Sequence, residues 1–493
     1  MPGVTQTQPV VRDDGAVKKP PAEGRARPIQ YAAVVFLAAY FVYFAKSGLR
    51  GHFALDDLAN MSYYFHRGTW SVILALIEFP STYLRPMGAV FYLPIFHFAG
   101  FNPLPYRIAG LLIIAINVVL YYSFAKLLTG SKKIAWLAAL LVSYHPYVSD
   151  VLYSNAVIYD VLCFGFYFAA LGWYLRARSR DRLLSWLETA IFLLLYICAL
   201  NSKEMAVTMP VTVLLYELFY HPPASIRPRL LGTWLTTEGR IMVIAGLVTA
   251  AFVAGKTMGA DPLIAISGYR PEFTLHRFTH SIADNIGSMF YLPDRIGNAT
   301  NVSIGVAVLL AFAWNRKSRF IAFCVVFAIL SELPIAFLDR AWACLYIPLG
   351  AWSLLVAAAV WGLVDLVSRY LAPNPARATA ATGIVLALVF SYAALEQREK
   401  TWIQPALLKQ QDMTWSAIHE FAKLKAKPRR GAWIAFINDP FADWDMEFLA
   451  ELTYRDPTLQ QTLLRKTPLT PQQLADVDYI FDYRDGKFIQ VKP

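Results

Sequence analysis

About eleven long apolar runs, separated by short basic loops, confine this chain to one class of fold. They fall near 29–44, 106–125, 134–144, 151–175, 184–200, 205–219, 241–254, 302–314, 320–337, 345–363 and 382–395. A helix needs roughly 20 apolar residues to cross a hydrocarbon core about 30 Å thick. The pattern therefore predicts an all-α polytopic membrane protein of about eleven transmembrane helices. Residues 84–100 are apolar too, but Pro86, Pro94 and His97 interrupt them, which predicts a re-entrant or interfacial element as readily as a further span.

Composition agrees. Charged residues make up 16% of the 493 positions and apolar residues 57%, against roughly 25% charged in soluble proteins. The net charge of +11 does not indicate nucleic acid. From Arg398 to Pro493 there are 14 basic and 13 acidic residues, so nearly all the surplus lies between apolar runs. Lys18, Lys19, Arg25, Lys132, Lys133, Arg176, Arg178, Arg227, Arg229, Arg316, Lys317 and Arg369 sit in alternate loops. Basic residues favour the cytoplasmic side, so eleven spans put the N-terminus in the cytoplasm and the C-terminus outside, as in a bacterial inner membrane. The four cysteines lie in apolar stretches without paired spacing and read as small core hydrophobes.

Three regions result. Residues 1–28 are charged and proline-rich, the signature of a disordered cytoplasmic leader. Residues 29–397 form the membrane domain, with an outer loop at 46–105. In that loop, Leu58, Met61, Tyr64, Phe65, Val72 and Leu76 share roughly one helical face, which suits a helix in the headgroup layer or one buried in the bundle. Residues 398–493 predict a small extracytoplasmic α/β domain. Its strands are expected at 432–437 and 479–481, its helical pieces at 446–454 and 472–476, and a hairpin turn at Asp485-Gly486.

Ionisable residues near membrane depth are costly and call for a function or a partner. Asp56 and Asp57 follow the first run directly. Adjacent carboxylates raise one another's pKa unless cations or donors offset it, which suits a general base beside a metal or donor ligand. An Asp-Asp pair opening a helix also suits an N-cap with a first-turn acid. His145 and Asp150 occupy the short loop after the third run, and Asp160 lies nearly three turns into the fourth, where it needs a partner. Lys203 and Glu204 stand at the junction of the fifth and sixth runs, as an ion pair or part of a site. Arg85 and Arg340 fall on the outer side, against the positive-inside tendency. Arginine's planar fork matches phosphate oxygens, so Arg85, Arg340 and Lys203 together could hold a phosphate headgroup.

Several motifs occur in order: Asp56-Asp57 after a first span, Leu84-Arg85-Pro86, His145-Pro146 with Asp150, Ser202-Lys203-Glu204-Met205-Ala206-Val207-Thr208-Met209-Pro210, then Leu214-Leu215-Tyr216-Glu217 and Leu345-Tyr346-Ile347-Pro348. Together they resemble the GT-C membrane glycosyltransferases, nearest the protein O-mannosyltransferase-like and transmembrane tetratricopeptide O-mannosyltransferase-like branch. The resemblance spans roughly residues 30–400, and its most specific part is the Ser-Lys-Glu-x-Ala-Val-Thr-x-Pro stretch. It implies transfer of a sugar from a polyprenyl-phosphate carrier to an acceptor hydroxyl outside the cytoplasm, with inversion. By analogy Asp56 is the base, Asp57 and Asp150 shape the donor or a divalent metal site, and Arg85, Lys203, Arg340 and Tyr346 face the lipid phosphate. His145, Glu204 and Asp160 would support them. The chemistry requires no metal, and the acceptor, whether protein, glycan or lipid, is open. The compact C-terminal domain replaces the tetratricopeptide tail.

The residues make chemical sense without the resemblance. A hydroxyl is a poor nucleophile, and a carboxylate that removes its proton during attack contributes about 10² to 10⁴ in rate. Fixed cations shielded from water stabilise a departing phosphate. The competing classes are a transporter or flippase, which would carry its charges near the bilayer midplane in broken helices, and an inactive assembly subunit.

Overall fold

A computed structural model describes residues 26–78, 85–146, 154–223, 225, 227–259, 262–292, 299–313, 318–338, 342–371, 375–424, 427–441 and 445–492. The chain is a helical bundle capped at one end by a small mixed sheet. It opens with α1 (Ala26–Ala45) and an amphipathic excursion made of α2 (Leu55–Arg67), α3 (Thr69–Glu78) and α4 (Met87–Ala99). The bundle proper begins with α5 (Pro103–Thr129), α6 (Lys132–Ser143), α7 (Ile158–Arg178), α8 (Trp186–Ser202) and α9 (Met209–Tyr220). It continues through α10 (Pro228–Thr236), α11 (Arg240–Met258), α12 (Leu275–Met289), α13 (Ala299–Ala313), α14 (Ser318–Ala336), α15 (Tyr346–Tyr370) and α16 (Ala376–Ala422).

Among the described residues, seven helical segments are long and apolar enough to cross a membrane: Tyr31–Arg50, Pro103–Thr129, Asn155–Arg178, Arg240–Ala265, Arg319–Ala336, Ala343–Tyr370 and Ala376–Ala422. The other expected runs form α6, α8, α9 and α13, of 12, 17, 12 and 15 residues. Two of these, α8 and α9, are cut short by the break at Lys203–Thr208 beside the cavity described below. α15 is the central post, buried along most of its length and packed on α6, α13 and α14. Gly362 lets α15 approach α13 so closely that an added Cβ would stand 2.0 Å from the Phe312 carbonyl oxygen. At the periphery, Val34, Val35, Leu112, Ile116, Val119, Leu247 and Phe390 present bare apolar surface. Contiguous exposed apolar area on closed helices is the signature of lipid contact, so the protein is an integral membrane protein.

The excursion corrects one expectation. Residues 57–78 do not form one helix, because Gly68, at φ +74°, ends α2 and redirects the chain into α3. Leu58, Met61, Tyr64 and Val72 are buried, and α2 packs against α4 and a helix of the C-terminal domain. Its apolar face therefore meets protein.

α16 runs 47 residues without a break, carrying the chain from apolar surroundings into the C-terminal domain and crossing the expected boundary at 397. That domain contains β1 (Trp433–Ile437), α17 (Asp445–Tyr454), β2 (Gln460–Leu463), α18 (Pro471–Asp476), β3 (Tyr479–Arg484) and β4 (Lys487–Lys492). The strand order is β2-β1-β3-β4, with β1 parallel to both β2 and β3, and β3 antiparallel to β4. Phe421 of α16 packs against Phe436, Phe481 and Phe488, so the long helix supplies part of the sheet's core. Asp485 and Gly486 turn the β3–β4 hairpin at φ +50° and +77°, the left-handed pair such two-residue turns require.

Candidate active site

A cavity of about 720 Å³ lies at the end of the bundle nearest the C-terminal domain, walled by α2, the start of α7, the α8–α9 break and α12. All but α12, which lines the cavity along its length, are places where regular structure starts or stops. Such irregular backbone is tolerated in a membrane protein where it lines a cavity.

Asp56 and Asp57 occupy the first turn of α2, where the helix dipole favours carboxylates. Asp56 is exposed and lines the cavity. Asp57 is fully buried: its Oδ2 accepts a hydrogen bond from the Ala54 N–H at 2.9 Å and lies 3.9 Å from Arg107 Nη2. Burial pushes its carboxyl up to about 6 against the pull of Arg107. The two readings of the acidic pair are thus divided between its members. Asp57 holds the helix start, and Asp56 faces the open volume.

Arg85 lines the cavity from the loop before α4. Its Nη2 and Nε donate to Glu204 Oε2 and Oε1 at 3.0 and 3.2 Å, its Nη2 also donates to the Tyr269 hydroxyl at 3.1 Å, and its guanidinium lies 5.5 Å from the Tyr159 ring centre. Burial alone would raise the Glu204 carboxyl, but Arg85, Lys203 and Lys256 outweigh it and hold it at about 2. Glu204 is therefore an anion that aims the arginine fork. Below Arg85, the Tyr64 hydroxyl donates to the Arg85 carbonyl at 2.7 Å and meets the Tyr159 hydroxyl at 2.8 Å, while Tyr159 donates to Asn60 at 2.9 Å. Gly88 makes room for this tyrosine pair, since a Cβ there would stand 2.3 Å from the Tyr159 ring.

Lys203 ends α8 in an extended conformation, φ −158°, ψ 146°. A single 3₁₀ segment, Glu204–Thr208, and Pro210 in the first turn of α9 then restart the chain. The Ser-Lys-Glu motif is thus a built helix break that turns the Lys203 ammonium into the cavity. Its Nζ donates to Asp160 Oδ2 at 3.0 Å. Burial disfavours the ammonium, but Asp160 more than offsets it and holds the amine above its ordinary value. Asp160 lies in the first turn of α7, not three turns into it as the apolar run suggested, because α7 begins only after the Asn155–Val157 turn.

Other expected residues lie elsewhere. Tyr346 is buried and stacks on Phe164 at 3.8 Å, in the bundle core and outside the cavity lining. His145 is also buried, its Nε2 3.2 Å from the Met289 carbonyl and its ring stacked on Tyr291 at 4.8 Å. Burial lowers it to about 4, so at neutral pH it is an uncharged tie between the end of α6 and α12. Glu217, from the Leu-Leu-Tyr-Glu motif, takes two bonds from Arg178 at 2.7 and 2.8 Å and one from Tyr174 at 2.6 Å. That motif is a buried clamp between α7 and α9. Asp150 and Arg340 lie outside the described residues. Among the described residues no three His, Cys, Asp or Glu side chains gather as a metal site, and Asp57 is already engaged by Arg107 and the helix start.

The cavity adds residues that the sequence reading did not single out. Arg277 on α12 lines it and donates to the Leu338 carbonyl at 2.7 Å. Tyr269, Asn60, Tyr159, Ser281 and Asp284 line it as well. Arg277 has one sequence signal: it is a basic residue between the apolar runs near 241–254 and 302–314, on the side that the alternation of basic loops leaves outside.

Comparisons to known proteins bear on the fold that holds this cavity. Residues 85–250 match the family model described as dolichyl-phosphate-mannose-protein mannosyltransferase. The fold is similar to the crystal structure of ArnT from Cupriavidus metallidurans in the apo state, at 16% identity and TM-score 0.51, covering 88% of this chain and 86% of that one. It is similar also to ArnT from the same organism bound to undecaprenyl phosphate, at 13% identity and TM-score 0.52, covering 93% and 97%. The fold is therefore ArnT-like. None of the curated proteins matches the chain significantly in sequence. The family match ends at residue 250, well before the C-terminal domain.

Proposed function

We propose that this protein is a membrane glycosyltransferase that moves a sugar from a polyprenyl-phosphate carrier to an acceptor hydroxyl, with inversion, on the extracytoplasmic side. The observation that carries the reading is one cavity lined at once by the exposed carboxylate of Asp56 and by Arg85, Lys203 and Arg277. The family match, the GT-C fold and the undecaprenyl phosphate held by the ArnT neighbour support it.

In this reading Asp56 removes the acceptor's proton as the hydroxyl oxygen attacks the sugar's anomeric carbon. The leaving phosphate gathers charge opposite Arg85, Lys203 and Arg277. Glu204 and Asp160 hold two of these cations in place beforehand, so little reorganisation is needed as charge develops. A single displacement by the acceptor inverts the anomeric centre. Asp150 and Arg340, which the family resemblance assigns to the same site, belong to the proposal on that ground alone. So does the orientation, with a cytoplasmic N-terminus and the cavity facing out of a bacterial inner membrane.

Reconstituted protein supplied with labelled undecaprenyl-phosphate sugars tests the proposal. Lipid phosphate and glycosylated acceptor should appear in equal amounts. Movement of the intact lipid between leaflets without bond cleavage would replace an enzyme with a transporter.

A further inference from the structure

A second cavity, of about 790 Å³, adjoins the first and shares Ala59, Asn60, Arg85 and Tyr159 with it. It opens between α2 and α17, where the membrane domain meets the C-terminal domain. We propose that this cavity is the acceptor site and that the acceptor is a carbohydrate. The inference rests on the glycosyltransferase reading and adds its missing substrate class.

Helix α2 joins the two volumes. Asp56, Asn60, Tyr63 and Arg67 recur at helical spacing on one stripe, and at 1.5 Å per residue the stripe runs about 16 Å. Asp56 lines the first cavity, Asn60 lines both, and Tyr63 and Arg67 line the second. A molecule seated in the second cavity can thus extend one end past Asn60 to the base. The opposite wall is α17, which contributes Glu447, Phe448 and Glu451.

The chemistry of these walls selects the class. A pyranose has apolar C–H faces and a rim of hydroxyls that both donate and accept. Aromatic rings with a polar edge suit the faces, and carboxylates and amides suit the rim. The cavity interleaves Tyr63 and Phe448, both half-buried, with Asn60, Glu447 and Glu451. Glu451 is fixed for that work: its Oε2 accepts from Ser62 Oγ at 2.5 Å, and its Oε1 lies 3.6 Å from His66 Nδ1. An extended peptide would be expected to add to a sheet edge. The edge strands here are β2 and β4, and neither lines the cavity.

The step balances without a further reactant. The sugar hydroxyl's oxygen bonds to the donor's anomeric carbon, and the bond from that carbon to the phosphate oxygen breaks. The electron pair leaves with the lipid phosphate, and the proton passes to Asp56.

The test uses the full chain in lipid nanodiscs with undecaprenyl-phosphate hexoses. The acceptors are tetrasaccharides of glucose, mannose, galactose and N-acetylglucosamine, with a serine- and threonine-rich peptide in parallel. A tetrasaccharide should be glycosylated, and Tyr63→Ala should raise its KM about tenfold while kcat moves less. Glu447→Gln probes the opposite wall and should raise the same KM should Tyr63→Ala fold poorly. Transfer to the peptide alone, or a tetrasaccharide KM unmoved by both variants, overturns the carbohydrate acceptor and leaves the transferase reading standing. Failure to cleave any donor or to bind undecaprenyl phosphate overturns the transferase reading, and this inference with it.

Discussion

Asp56 and Asp57 are adjacent in sequence yet serve opposite sides of α2: one carboxylate opens onto a cavity shared with Arg85, Lys203 and Arg277, and the other is sealed beneath the helix against Arg107. A helix turns about 100° per residue, so neighbours at a helix start can face chemistry and core respectively.

That division predicts different failures. Asp56→Asn should lower kcat by about 10² to 10⁴ with an unchanged melting profile. Asp57→Asn keeps an oxygen to accept from Ala54 N–H and should retain most turnover. Asp57→Ala loses the acceptor and should cost about 1 to 2 kcal/mol of stability. Donor-cleavage assays and thermal denaturation on the three variants check this, and full turnover by Asp56→Asn would remove the base.

The Asp57 carboxyl also has a pH signature. Its ordinary value is 3.8 and burial raises it to about 6 in the folded chain, so between those values the folded state holds a proton that the unfolded state has released. Stability rises with pH only where the unfolded state binds more protons, and here the reverse holds. The contribution is complete below about 4, declines as pH rises to about 6, and is flat beyond. Asp57→Asn has no such proton. The melting temperature of the natural chain should fall relative to that variant across this window, and a constant difference from pH 4 to 7 would contradict it.

Arg85 should not tolerate lysine. Its fork reaches both Glu204 oxygens and the Tyr269 hydroxyl, and an ammonium keeps the charge but loses that planar geometry. Arg85→Lys is expected to raise the KM for the lipid-linked donor about tenfold, with a smaller change in kcat. An unchanged KM would remove Arg85 from phosphate recognition.

How much of this was legible in the sequence depends on how local each signal is. The Asp485-Gly486 hairpin and the strand at 433–437 follow from adjacent residues. Strand β2, Gln-Gln-Thr-Leu, carries no apolar alternation and exists because β1 offers it a parallel edge. The motif residues Arg85, Lys203 and Glu204 were legible as a group because helix breaks leave polar residues stranded among apolar runs. Arg277 and Tyr269 were not, since their segment carries no motif and only the Ser267–Tyr269 turn and the packing of α12 bring them to the cavity. Tyr346 is the opposite case: a motif residue whose ring stacks on Phe164 in the bundle core, a placement that only the three-dimensional packing reveals.

Gly88 should be among the least tolerant positions near the site. An added methyl would meet the Tyr64 hydroxyl at 2.4 Å and the Tyr159 ring at 2.3 Å. Overpacking of this kind costs about 1 to 3 kcal/mol, and it would displace the hydroxyl pair beneath Arg85. Gly88→Ala should lower both the melting temperature and donor turnover. A Tyr64→Phe exchange, which removes one hydroxyl without adding bulk, should lower turnover with a smaller loss of stability.

Lys203 and Asp160 allow structure and function to be separated. Both line the cavity, and their side chains are 13% and 4% exposed, so each needs the other: removing one partner of such a pair leaves a charge with no counterpart and costs about 3 to 5 kcal/mol. Lys203→Met should therefore denature at lower temperature or fail to accumulate. Replacing both, as Lys203→Met with Asp160→Leu, removes the buried charges together, and exchanges of that kind are often neutral for stability. The double variant should recover its fold while binding undecaprenyl phosphate about tenfold or more weakly. If it recovers both the fold and lipid-phosphate affinity, the pair only holds α7 against the α8–α9 break. If the fold returns and affinity does not, the ammonium acts on the ligand, because the structural demand has been met without it.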